Sequence, residues 1–136
     1  MKICIYGAGA IGGYLGVQLQ RAGADVSLVA RGAHLAAMRD NGLKLLIGDE
    51  ERVVRPRCTD NPAELGPQDF VIVCLKAHSI TGVIEQMQPL LGPRTRIVTA
   101  VNGIPYWYFH RHGGRYEGST LESIDPGGRQ WRELTP

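Results

Sequence analysis

Lys76 and Asn102 each close an apolar run, Phe70–Leu75 before the lysine and Thr95–Val101 before the asparagine. A lysine ammonium in a cleft holds a carboxylate or a ribose hydroxyl, and an asparagine amide holds a carbonyl oxygen and a hydroxyl together. Either residue alone is equally well a surface lysine or half of a turn, since Gly103 follows Asn102. Upstream, residues 6–16 read YGAGAIGGYLG, with glycine at five of eleven positions. Gly7, Ala8, Gly9, Ala10, Ile11 and Gly12 match G-x-G-x-x-G. In that pattern the first glycine permits a tight turn, the second lets a pyrophosphate approach the main chain, and the third lets a helix lie close to a strand. Alone the pattern also fits an ordinary turn. Here it follows a strand-like run and opens a helical one, the context of a dinucleotide site.

Arg31 bears on which dinucleotide. It stands at the end of the apolar run 26–30, where NAD binders place an acidic residue for the ribose hydroxyls. A guanidinium clamps a 2′-phosphate that a carboxylate would repel, so the arrangement favours NADP(H) over NAD(H). Lys76 is one of three lysines, and Lys2 and Lys44 are not placed to reach the same crevice. His78, His110 and His112 have no carboxylate or cysteine at ligand spacing, so no metal site is expected. Arg52, Arg55 and Arg57 follow Glu50 and Glu51 and read as a solvated strand edge.

These residues need elements to position them. Lys2–Tyr6 reads as a strand buried on both faces, residues 10–22 as a helix ended by Gly23, and 26–30 as a second strand. Residues 33–40 read as a helix with Leu35 and Met38 inward. Residues 43–47 and 52–57 form a strand pair, 69–75 a central parallel strand, 78–88 a helix, and 95–101 a last strand. The alternation predicts an α/β fold with a doubly wound parallel sheet over residues 1–103. Residues 104–136 are aromatic and glycine-rich without convincing periodicity. They read as an extension, the truncated rest of the same domain, whose continuation is missing, and exposed aromatics at 105–109 would favour self-association.

The 136 residues suit one domain. A net charge of +2 argues against nucleic acid or an acidic membrane surface, and no apolar stretch is long enough for a membrane span. There is no signal-peptide pattern. Cys4, Cys58 and Cys74 are an odd set, two of them in apolar runs, which predicts reduced thiols in a cytoplasmic protein.

The order GAGAIGGYLG, VAR, CLKAH, VNGIPYWYF, LESIDPGG resembles the ketopantoate reductase (2-dehydropantoate 2-reductase) family over essentially the whole chain. The resemblance implies a Rossmann-type domain that holds NADPH and a helical second domain that these residues do not include. The implied activity is NADPH-dependent reduction of 2-dehydropantoate, or a related 2-ketoacid, to pantoate for pantothenate and coenzyme A synthesis. By position, Gly7–Gly12 would hold the pyrophosphate and Arg31 the 2′-phosphate, with Leu75 beside the cofactor. Lys76 and Asn102 would serve both cofactor and catalysis. Val101 stands where many members have a polar residue, and Ser79 where some have glutamine. In the family the proton donor is a lysine of the helical domain, so these 136 residues alone are expected to turn over slowly or not at all. A non-catalytic NADP(H)-binding module or sensor, and another NADP-linked hydroxyacid dehydrogenase, stand as alternatives.

Overall fold

The computed structural model describes residues 1–134. Among the described residues seven strands form: β1 (Lys2–Tyr6), β2 (Asp25–Val29), β3 (Leu43–Ile47), β4 (Glu50–Val54), β5 (Arg57–Thr59), β6 (Phe70–Val73) and β7 (Arg96–Thr99). Five make a parallel sheet in the order β5-β2-β1-β6-β7, and β3 and β4 form a separate antiparallel hairpin. This is the doubly wound arrangement that the alternation predicts. The chain moves from β1 outward through β2 to β5, then returns to the other side of β1 for β6 and β7. The direction reverses between β1 and β6.

The central strands β1 and β6 are near-continuous apolar runs because both faces of the sheet are covered there. Cys4, Tyr6, Val71 and Val73 point into one core with Ile84, Met87 and Leu90. Ile5, Val26 and Leu28 point into the other with Val17, Leu35, Met38 and Leu43. Helices α1 (Ala10–Arg21) and α2 (Gly32–Asn41) serve the second core. Gly16 packs there against Ile5, Leu28 and Leu43; a Cβ on it would meet all three at 3.3–3.5 Å.

Three expectations need correction. The helix expected over 78–88 is broken into α3 (Ala77–Ile80), a 3-10 turn at Thr81–Val83, α4 (Ile84–Met87) and a 3-10 turn at Gln88–Leu90. Gly82 and Pro89 interrupt the ladder, yet Ile80, Ile84, Met87 and Leu90 still share a buried face. The strand expected over 52–57 ends at Val54. Pro56 cannot donate to the hairpin, and Arg57 starts β5, which joins the main sheet beside β2.

The third correction lies past Gly103, where a helix, α5 (Arg129–Leu134), forms despite the lack of periodicity. The buried Asp125 carboxylate accepts hydrogen bonds from the amides of Gln130 (2.7 Å) and Trp131 (2.9 Å). A six-residue helix shows only Trp131 and Leu134 as an apolar pair, too few for a period to register. The aromatic stretch is also divided. Tyr106 is buried and Phe109 half-buried, while Trp107 and Tyr108 stay exposed. No helix among the described residues is long and apolar enough to cross a membrane.

Gly12→Ala should destabilise the protein by about 1–3 kcal/mol, because its Cβ would collide with the Gly7 carbonyl oxygen. Gly9→Ala, whose Cβ meets nothing within 4 Å, should shift stability by no more than about 0.5 kcal/mol. Urea unfolding of the two variants checks the contrast. Burial pushes the Cys4 thiol from 9.0 up to about 12. The unfolded chain therefore loses this proton first, and the contribution to stability falls as pH rises from about 9 through about 12. Unfolding at pH 8 and pH 10.5 should show a loss (roughly 2 kcal/mol at the higher pH for such a shift) that Cys4→Ala reduces.

Candidate functional site

The sheet register levels five strand ends. Tyr6 pairs with both Val29 and Val73, Val29 with Thr59, and Val73 with Thr99. The ladder continues one residue further, with Gly7 N donating to Val29 O, Ala30 N to Thr59 O, Cys74 N to Tyr6 O and Ala100 N to Val73 O, all at 2.9–3.0 Å. The segments that follow thus leave the sheet at one level. Along this carboxyl edge the order is Asp60, Arg31, Gly7, Lys76, Asn102, with neighbouring strands about 5 Å apart. Five residues far apart in sequence are brought to one rim, on both sides of the switch point.

The glycine loop occupies the centre. Gly7 has φ +106°, a left-handed conformation, and a Cβ there would come within 2.7 Å of Leu75 Cδ2 and 3.0 Å of the Cys74 carbonyl oxygen. Leu75 is therefore packed against the loop itself. Gly9 is the N-cap of α1 and no side chain caps that helix. No side chain meets the free amides of its first turn, and there is open space where a Cβ of residue 9 would be. A free helix end, a bare cradle and the absence of an acidic side chain in the first turn fit a dinucleotide pyrophosphate.

Two cavities flank the loop. One, of about 340 Å³, extends from Gly7, Ala8 and Gly9 to Arg31, His34 and Asp60. The other, of about 600 Å³, extends from Gly7, Gly9, Ala10 and Ile11 past Leu75 to Lys76 and Asn102. They share Gly7, Gly9, Leu75 and Ser79, and so form one groove with a cationic group near each end. All the residues singled out for the site in the sequence line it except Gly12, which is buried under the loop. Arg31 and Lys76 are exposed, and none of the four ion pairs among the described residues involves either. Lys44, by contrast, is paired with Glu51 at 2.9 Å. Among the described residues no cluster of three metal-ligating side chains forms. Cys74 lines the groove, but burial pushes its thiol up to about 11, so it stays protonated and is no nucleophile near neutrality.

Four polar groove residues, Tyr6, His34, Asp60 and Gln86, lie outside the sequence reading of the site. Tyr6 reaches Gln86, its hydroxyl 3.4 Å from Gln86 Oε1, and burial raises the phenol above its ordinary value. Asp60 follows β5, a strand hidden by the Pro56 break, so its place at a sheet edge carried no signal. His34 did carry one: it stands three residues after Arg31 in the first turn of α2, on the same side.

The family description "Ketopantoate reductase PanE/ApbA" matches residues 3–105. A 2-dehydropantoate 2-reductase of Mesorhizobium japonicum is 52% identical over 137 residues, covering 100% of this chain and 42% of that protein. The crystal structure of a protein assigned as a ketopantoate reductase from Ralstonia solanacearum superposes with a TM-score of 0.91 at 43% identity, over 98% of this chain and 41% of that one. The 2-dehydropantoate 2-reductase of Porphyromonas gingivalis superposes at 0.71 with 38% identity, over 76% of this chain and 39% of its own. The chain thus spans about two fifths of the length of these relatives. With a family match over most of its length and the same doubly wound sheet, this chain belongs to the ketopantoate reductase PanE/ApbA family.

Proposed function

We propose that this chain is the NADPH-binding part of a reductase that converts 2-dehydropantoate, or a related 2-ketoacid, to pantoate, in the cytoplasmic route to pantothenate. The observation that carries this reading is the continuous groove from Arg31 through the bare glycine loop to Lys76 and Asn102. Bound NADPH supplies the hydride. The chain's own groups bind and orient. Amides of the glycine loop and of the first turn of α1 hold the pyrophosphate. The Arg31 guanidinium would hold the 2′-phosphate. Leu75 walls the loop on the side of Lys76 and Asn102.

At that end the Lys76 ammonium attracts the ketoacid carboxylate or a ribose hydroxyl, and the Asn102 amide donates to a carbonyl oxygen while accepting from a hydroxyl. Two polar groups placed there favour a reductase over a module that senses the nucleotide alone. Lys76 holds substrate; the proton for the developing alkoxide is assigned, by family resemblance, to a lysine outside these residues. Residues 104–134 are read as part of the same domain, since Tyr106, Trp131 and Leu134 join its core.

Fluorescence titration should give tighter binding of NADPH than of NADH. Equal affinity, or tighter NADH, overturns the 2′-phosphate assignment. Arg31→Ala should weaken NADPH by about 1–3 kcal/mol and leave NADH nearly unchanged. With Trp107 and Tyr108 exposed, self-association through the aromatic segment is expected, and light scattering that finds a monodisperse monomer contradicts it.

A further inference from the structure

The glycine loop and the turn that carries Arg31 belong to different crossovers, yet one side chain joins them. His34 Nε2 lies 2.7 Å from the carbonyl oxygen of Ala8, across 26 residues of sequence. A carbonyl only accepts, so Nε2 carries the hydrogen. The neutral ring protonated at Nε2 and the charged ring both donate from that atom, so the bond survives either state. Ala8 is the buried second residue of the G-x-G turn, and Ala8, Arg31 and His34 all line the same cavity.

The Arg31 turn has few other restraints. Arg31 is the N-cap of α2 and no side chain caps the helix. Gly32, directly after it, has φ +58°, and the first amide bond of the helix, Leu35 N to Arg31 O, is long at 3.4 Å. Asp60 faces the same cavity with a carboxylate that repels phosphate. The preference of this end for a phosphate therefore depends on where Arg31 stands relative to both Asp60 and the glycine loop.

We infer that His34 is a positioning residue for cofactor specificity: its bond to Ala8 sets the spacing between the pyrophosphate loop and Arg31, which a 2′-phosphorylated dinucleotide must span. This rests on the NADPH reading above. A dinucleotide with a plain 2′-hydroxyl engages the loop without Arg31 and is less sensitive to that spacing.

The test is titration of NADPH and NADH against the wild type, His34→Ala and His34→Gln, with thermal unfolding alongside. His34→Ala should weaken NADPH roughly threefold to tenfold and NADH by about twofold or less, so that the preference narrows. His34→Gln, whose amide N–H can reach the Ala8 carbonyl, should restore most of it. In an Arg31→Ala background His34→Ala should no longer discriminate between the nucleotides. Should His34→Ala fail to fold, His34→Asn, too short to span the gap, replaces it. Independently, NMR of the wild type should find the His34 hydrogen on Nε2. An unchanged preference in His34→Ala, equal losses for both nucleotides that track the melting temperature, or a ring protonated on Nδ1 alone each overturns the inference and leaves the NADPH reading standing. A wild type that does not prefer NADPH overturns that reading, and the role of His34 with it.

Discussion

The closeness of β1 and α1 governs the rest of the molecule. The chain leaves Tyr6, turns through Gly7 in a left-handed conformation, and starts a helix three residues later. Gly12 then lies so near the Gly7 carbonyl that a single carbon added there would clash. Nothing larger than hydrogen fits at that crossing, which fixes where α1 starts and in which direction its free amides point. The same closeness lets Gly16 sit against Ile5, Leu28 and Leu43, so one run of small residues shapes both the bare loop and one of the two cores. Packing and the shape of the loop are inseparable: the residues that would strengthen a helix are those that would fill the open space beside it.

Around the loop the sheet supplies order. Parallel register brings five strand ends level, so that the residues leaving each strand form a row instead of a scatter. The row is electrostatically uneven. Arg31 and Lys76 stand on opposite sides of the glycine loop without ion-pair partners among the described residues, whereas Lys44 is matched to Glu51 and Arg129 to Glu85 and Glu133. Exposed cations left unmatched on a concave edge raise the local potential for anions. On the proposed reading, a dinucleotide with a phosphate at one end and a ketoacid beside the other would carry its negative charge where these cations lie. Asp60 is the exception in the row, a carboxylate that shares one cavity with the Arg31 guanidinium.

Much of this was legible in the residues. Alternating runs of apolar strand and amphipathic helix are a local signal, and both β1 and β6 form where continuous apolar runs demand burial on two faces. The elements that escaped notice are those whose cause is not local. Helix α5 forms because Asp125 caps it from a buried position and Tyr106 and Ile124 cover it, in a stretch whose own composition favours turns. Strand β5 is three residues long and earns its place by pairing with β2, which its sequence cannot announce. The break within 77–90 follows from Gly82 and Pro89, whose presence was visible but whose effect on a helix anchored by four buried side chains was not.

For the site, residue types by themselves nominated the glycine run, the cation at residue 31 and the polar pair at Lys76 and Asn102. Each is a candidate that its side-chain chemistry, or the lack of a side chain, allows. Tertiary structure alone decided that these belong to one groove and in what order they line it. Register is a property of strand pairs and appears nowhere in a single strand. It likewise decided that His34 meets Ala8, that Asp60 shares a cavity with Arg31, and that Cys74 is held as an inert thiol. These contacts join residues dozens of positions apart, and a hydrogen bond or a desolvated thiol exists only once the chain has brought its partners together.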